Sequence, residues 1–267
     1  MMTSSTSIKR VLCLPGFLQS GRVLAEKSSG LRKILTKKYG FELDYISPPN
    51  IIPNKEQLPF KLGQTEEEEN DKWNYIVENE TNRSWWDHQD PGLYLGFDEA
   101  IQYIGKYIKE NGPYDAIIGF SQGAAMAAIT TNCIQEIVPG HPPFEVALLI
   151  SGFAFTILKE NNTRENRWNV NYEVEDLEEY KQKVEIQKDY LKYFQPPSDM
   201  NTKIISVYGK LDNTVPPIRS KFLSSIYKEA NLVSFEHEGA HLVPNKKTFL
   251  EPIVTLFRES LQPKSSL

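Results

Sequence analysis

The stretch YDAIIGFSQGAAMAAI, residues 114–129, constrains the fold more than any other part of the chain. An apolar run of strand length passes directly into a run of small residues, and Ser121 stands between Gly119 and Gly123 at the change. A short, continuously apolar run is the mark of a strand buried on both faces of a sheet. Alanines at 124, 125, 127 and 128 let the following helix lie close to that strand. A strand–turn–helix carrying Gly-x-Ser-x-Gly strains the serine backbone and lifts its hydroxyl above the sheet. The N-terminal amides of the helix then face the place where an oxyanion would develop. The five-residue pattern alone arises easily by chance; its flanks give it meaning.

The rest of the chain repeats the alternation. IKRVLCL (8–14) reads as a buried strand. RVLAEKSSGLRKILTKKYG reads as a helix with an apolar stripe at Leu31, Ile34 and Leu35, stopped by Gly40. FELDYIS is a strand ending at Pro48-Pro49, and FDEAIQYIGKYIKENG an amphipathic helix. EVALLISGF, KIISVYG and LVSFEH read as further strands. PPIRSKFLSSIYKEA and residues 246–261 read as helices, with Pro252 a possible interruption of the last. Strands alternating with helices specify an α/β fold: a mostly parallel, twisted sheet with helices on both faces, its site at the carboxyl ends of the strands. The expected organisation is one domain, 1–267, with polar insertions at about 48–92 and 156–200, the second holding a helix over 175–194. The first is read as a long loop whose adjacent Trp85 and Trp86 must be covered by something.

A serine hydroxyl needs a base at neutral pH. The chain has four histidines, His88, His141, His237 and His241. Hydrolases built on a nucleophile elbow run in the order Ser, acid, His. His241 in EGAHLVP follows the last strand at the active-site end and is the candidate base. Asp212, in GKLDNTVP after KIISVYG, is the candidate acid; Asp176 and Asp199 precede that strand and are the weaker choices. Oxyanion donors are sought in the amide after the serine and in the loop after the first strand. That selects the amides of Gln122 and Phe17, with Leu18 as the neighbouring alternative. Trp73, Tyr75, Trp85, Trp86 and Phe153 either line an acyl pocket or cap the core.

Composition narrows the partners. A net charge of −5 favours neither nucleic acid nor an anionic membrane. The acidic runs EEEEND (66–71) and EVEDLEE (173–179) read as solvated faces. No run has the length of a membrane-spanning helix, and VLCLPGFL is broken by Pro15 and Gly16, so a cytoplasmic location is the default expectation. The sequons at Asn79 and Asn161 are then coincidental. Cys13 and Cys133 lie in apolar surroundings and show no metal-ligand spacing, so no metal or cofactor is expected.

LPGFLQSG, the Trp85-Trp86 pair, GPYDAIIGFSQGAA (112–125), LISGF (149–153), YGKLDNTVP (208–216) and GAHLVPNK (239–246) together resemble the fungal family of serine hydrolases, a branch of the α/β-hydrolase superfamily. The resemblance runs through most of the chain and implies Ser121, Asp212 and His241 as a triad. It also implies cleavage of small-molecule carboxylic esters or thioesters through an acyl-enzyme. One departure is Pro15, where family members commonly have histidine before the glycine; this leaves the hydrogen bonding of the first loop open. An acyltransferase using the same acyl-enzyme and a non-catalytic acyl-binding protein are the alternatives. Oligomeric state has no signature in the sequence.

Overall fold

Six strands, β10 (Leu232–His237), β9 (Lys203–Gly209), β6 (Val146–Ile150), β5 (Ala116–Phe120), β1 (Arg10–Leu14) and β2 (Glu42–Tyr45), lie side by side in that order, every neighbouring pair parallel. They are seen in a computed structural model that describes residues 8–87, 93–159 and 174–262. In chain order the strands are β1 (Arg10–Leu14), β2 (Glu42–Tyr45), β3 (Asn50–Ile51), β4 (Arg83–Ser84), β5 (Ala116–Phe120), β6 (Val146–Ile150), β7 (Thr156–Leu158), β8 (Val184–Ile186), β9 (Lys203–Gly209) and β10 (Leu232–His237). The helices are α1 (Gly21–Lys27), α2 (Ser29–Lys33), α3 (Glu66–Glu78), α4 (Phe97–Asn111), α5 (Gln122–Ile137), α6 (Leu177–Lys183), α7 (Pro217–Ser224) and α8 (Lys247–Ser260).

Alternation along the strands divides the core in two. Val11, Cys13, Ile118, Leu148 and Val207 point to one face, where they meet Leu24, Leu31, Ile253 and Phe257 from α1, α2 and α8. Leu12, Leu14, Ile117 and Leu149 point to the other, against α4, α5 and α7. Side chains of successive strand residues face opposite ways, so burial on both faces requires unbroken apolar runs. The chain starts at β1, steps to β2 on one side, and later builds outward from β5 on the other. The order therefore reverses between β1 and β5, the place where open α/β sheets form their binding crevice.

Several expectations are corrected. The first insertion is not a plain loop: α3 runs through the acidic stretch, with Thr65 as its N-cap accepting from the Glu68 amide and four glutamates in its first turn. Glutamates at a helix N-terminus complement its dipole. Trp85 and Trp86 are fully buried, while Trp73 and Tyr75 sit on the outward-facing α3. The helix expected over 175–194 stops at Lys183, because β8 pairs antiparallel with β7 and the chain then takes a 3-10 turn over Lys188–Phe194. The N-terminal helical region is broken at Ser28, whose amide bonds the Leu24 carbonyl. Pro252 does not interrupt α8. It and Thr248, whose carbonyl loses a partner, are both exposed, so water can take the missing donor's place. Both cysteines are free and buried. Burial raises both thiols, Cys133 to about 11, so neither is a ready nucleophile.

Candidate active site

Ser121 follows β5 directly and caps α5, with φ 55° and ψ −121°. Its amide donates to the Ile150 carbonyl at 2.9 Å, and its carbonyl accepts from the Ala124 and Ala125 amides. The flanking glycines are required by contact. A Cβ on Gly119 would fall 2.2 Å from the Gly123 carbonyl oxygen, and one on Gly123 would fall 2.1 Å from that of Leu14. The loop after β1 passes over the serine just as closely: a Cβ on Gly16 would sit 3.1 Å from Ser121 Cβ.

Asp212 follows β9 and is almost completely buried. Its Oδ1 accepts from the amides of Thr214 (3.0 Å) and Val215 (2.8 Å), and its Oδ2 accepts from Ser151 Oγ (2.9 Å). His241 Nδ1 lies 2.7 Å from the same Oδ2. Burial pushes the carboxyl pKa up. The bonds from His241, Val215 and Ser151, with the His241 charge, outweigh burial and hold it below the usual carboxylate range. A neutral imidazole that donates from Nδ1 presents an acceptor at Nε2. The Asp and His loops are held to one another through Leu211 N to Gly239 O (3.1 Å) and Lys210 N to His237 O (2.8 Å).

Asp212 and His241 are thus in direct contact. Ser121 is on the neighbouring loop, and the ring of Phe120, the residue before it, lies 4.8 Å from that of His241. Among the described residues no hydrogen bond joins Ser121 Oγ to His241. Such bonds commonly tighten only in the substrate complex. His141 has its ring nitrogens engaged elsewhere, Nε2 by the Tyr114 amide and Nδ1 by the Pro142 carbonyl. His237 Nδ1 accepts from the Gly239 amide, and burial lowers its pKa. His88 lies outside the described residues. Asp176 caps α6 through the Glu179 amide, and Asp199 lies in an exposed turn.

The Leu18 amide donates to the Arg83 carbonyl at 2.9 Å, which removes it as an oxyanion donor. Phe17 lies between it and Gly16, and the Gln122 amide opens α5. Ser151, buried and at φ 50°, was not singled out by sequence reading. A serine directly after a buried strand, in LISGF, was the available signal. A groove of about 640 Å³ runs from Phe120 and His241 past Leu242 and Val243 to Asn245, Lys27 and Lys246. A larger hollow of about 970 Å³, between α4 and the end of α5, includes none of these candidate residues. Among the described residues no group of three or more His, Cys, Asp or Glu side chains could hold a metal ion, and no helix is long and apolar enough to cross a membrane.

The parallel sheet, its covering helices and the serine at the switch point define an α/β-hydrolase fold of the serine hydrolase class. Residues 2–253 match the family model described as "Serine hydrolase (FSH1)", and the chain belongs to that family. It is 29% identical over 256 residues to "Family of serine hydrolases 3" of Saccharomyces cerevisiae, covering 92% of this chain and 82% of that one. It is 25% identical over 245 residues to "Esterase OVCA2" of Danio rerio, covering 88% and 90%. The crystal structure of Arabidopsis thaliana SOBER1 shares the fold with a TM-score of 0.57 at 15% identity, over 96% of this chain and all of that one.

Proposed function

We propose that the chain hydrolyses carboxylic esters or thioesters through an acyl-enzyme on Ser121. His241 Nε2 takes the hydroxyl proton as Ser121 Oγ attacks the acyl carbonyl. The amides of Phe17 and Gln122 receive the oxyanion. The tetrahedral intermediate collapses, and His241 returns the proton to the departing alcohol or thiol, which leaves along the groove beside it. Water then attacks the acyl-enzyme with the same base. Asp212 holds the Nδ1–H tautomer and stabilises the imidazolium without taking the proton. The observation that carries this reading is the fully bonded Asp212 carboxylate, donated to by His241, Ser151, Thr214 and Val215. With Nδ1 donating to that carboxylate, Nε2 of a neutral imidazole is an acceptor.

The test is labelling by a fluorophosphonate probe, followed by turnover of p-nitrophenyl esters and acyl thioesters of graded chain length. Wild type should label and turn over. Ser121→Ala should lose labelling entirely and about 10⁶-fold in kcat. A folded wild type that neither labels nor turns over any of these substrates overturns the reading.

A further inference from the structure

We infer that the segment Arg83–Trp86 of the first insertion positions the oxyanion hole, and that the side chains of Gln122 and Trp85 are its positioning groups. This rests on the proposed roles of Ser121 and the Phe17 and Gln122 amides. The two donors come from distant parts of the chain, the loop after β1 and the start of α5, and one short segment is bonded to both.

On the first loop, Trp85 Nε1 donates to the Pro15 carbonyl at 2.7 Å, and the Leu18 amide donates to the Arg83 carbonyl at 2.9 Å. Phe17 lies between these two anchored peptide groups. On the helix side, Gln122 Oε1 accepts from the Trp85 amide at 3.0 Å, and Gln122 Nε2 donates to the Trp86 carbonyl at 3.3 Å. The Gln122 side chain is 1% exposed and Trp85 wholly buried, so water does not compete for these bonds. A primary amide suits this place because it must accept from one peptide and donate to the next. Trp86 secures the far end, its ring edge-on to Phe153 at 5.9 Å and to Phe155 at 4.8 Å. The bond from Trp85 also supplies the first loop with an anchor at Pro15.

An oxyanion hole acts by being in place before charge develops, and displacement of about 1 Å can cost on the order of 10²-fold in rate. Gln122→Ala removes both clasping bonds. Trp85→Phe removes the indole N–H and keeps an aromatic ring. Gln122→Glu provides a rescue: protonated, its carboxyl both accepts from Trp85 and donates to Trp86; ionised, it can only accept. Burial favours the neutral acid.

The experiment measures kcat and KM on a p-nitrophenyl ester, Kd for an arylboronic acid as tetrahedral mimic, and Tm, with kcat expressed per fluorophosphonate-labelled serine. Gln122→Ala is expected to lose about 10²-fold in kcat and Trp85→Phe about tenfold, with KM within about threefold of wild type. Boronate affinity should fall in parallel. The activity of Gln122→Glu relative to wild type should be greatest at the acid end of the profile and exceed that of Gln122→Ala there. Variants that lower Tm yet keep wild-type kcat per labelled serine and wild-type boronate affinity would overturn the inference. A wild type that binds the boronate no better than Ser121→Ala would instead overturn the active-site reading, and this inference with it.

Discussion

His141 and His241 stand at opposite ends of the sheet, the first buried and the second partly exposed, and their rings differ in what they touch. His141, in the loop before β6, accepts from the Tyr114 amide at 3.0 Å and holds the Pro142 carbonyl through Nδ1 at 2.6 Å. Both nitrogens are engaged by backbone. Around it, Lys9 bridges Asp115 and Glu145 at 2.8 and 2.6 Å, and the Arg10 amide bonds Asp115. The amino end of the sheet is thus fastened by side chains that answer one another. His241, at the carboxyl end, gives one nitrogen to a carboxylate, and among the described residues no hydrogen bond engages the other. A histidine at a loop is structural or reactive according to how many of its nitrogens the fold has already engaged.

Asp212→Asn breaks the carboxyl end most severely that can be done without touching the proposed nucleophile or base. The amide cannot be acceptor to His241, Ser151 and two backbone amides at once, and kcat should fall about 10⁴-fold. The same variant has a stability signature. The carboxyl pKa is held below its ordinary value in the folded protein, so this contribution is complete above about pH 4 and is lost as pH falls through the lowered value. Wild-type Tm should therefore drop more steeply below pH 4 than that of Asp212→Asn, as thermal denaturation across the acid range would show.

His141→Ala breaks the amino end. It leaves the buried Tyr114 amide without its acceptor, a loss of about 1–3 kcal/mol in denaturant titrations, while kcat per labelled serine stays at the wild-type level. Burial lowers the His141 pKa, with the Pro142 bond and Asp115 partly opposing. The neutral ring is favoured in the folded state, so its contribution is complete above about pH 6.5 and is lost as pH falls through the lowered value. The variant should lose that part of the wild type's acid sensitivity. A fall in kcat to match the Tm loss would erase the contrast between the two ends.

The smallest effect sharpens the comparison from the other side. Ser121 is held at φ 55°, a left-handed conformation that glycine adopts without penalty. Ser121→Gly should be inactive yet melt about 1–3 °C higher than wild type. An unchanged or lower Tm would mean that the elbow stores no strain.

The layout of the sheet was legible because it depends on local pattern, and the three residues proposed for catalysis were chosen from the same pattern. The strands are unbroken apolar runs, the turn after β5 needs its two glycines, and Asp212 and His241 each lie just beyond a strand end. What was not legible depends on distant pairing. Val184–Ile186 sits in a helical-looking stretch and becomes a strand only because Thr156–Leu158 lies beside it. Ser151 lies in LISGF, which marks a strand end but not a partner; its bond is to Asp212, 61 positions away. Gln122 was chosen for its amide alone; that its side chain grips Trp85 and Trp86 follows from a return of the insertion that no periodicity reports. The α3 helix was hidden for a different reason, since it buries none of its residues and so shows no apolar stripe.

The clasp at Gln122 fixes where relatives of this chain can exchange parts. Residues 53–80, α3 included, touch solvent along nearly their whole length, and they meet the first loop through Phe60, edge-on to Phe17 at 6.2 Å. From Arg83 to Trp86 the chain is bonded to both proposed oxyanion donors' segments, although it is encoded within the insertion. Chimeras joined before Thr81 should inherit a working frame from the recipient, and those joined after Trp86 would import a foreign one.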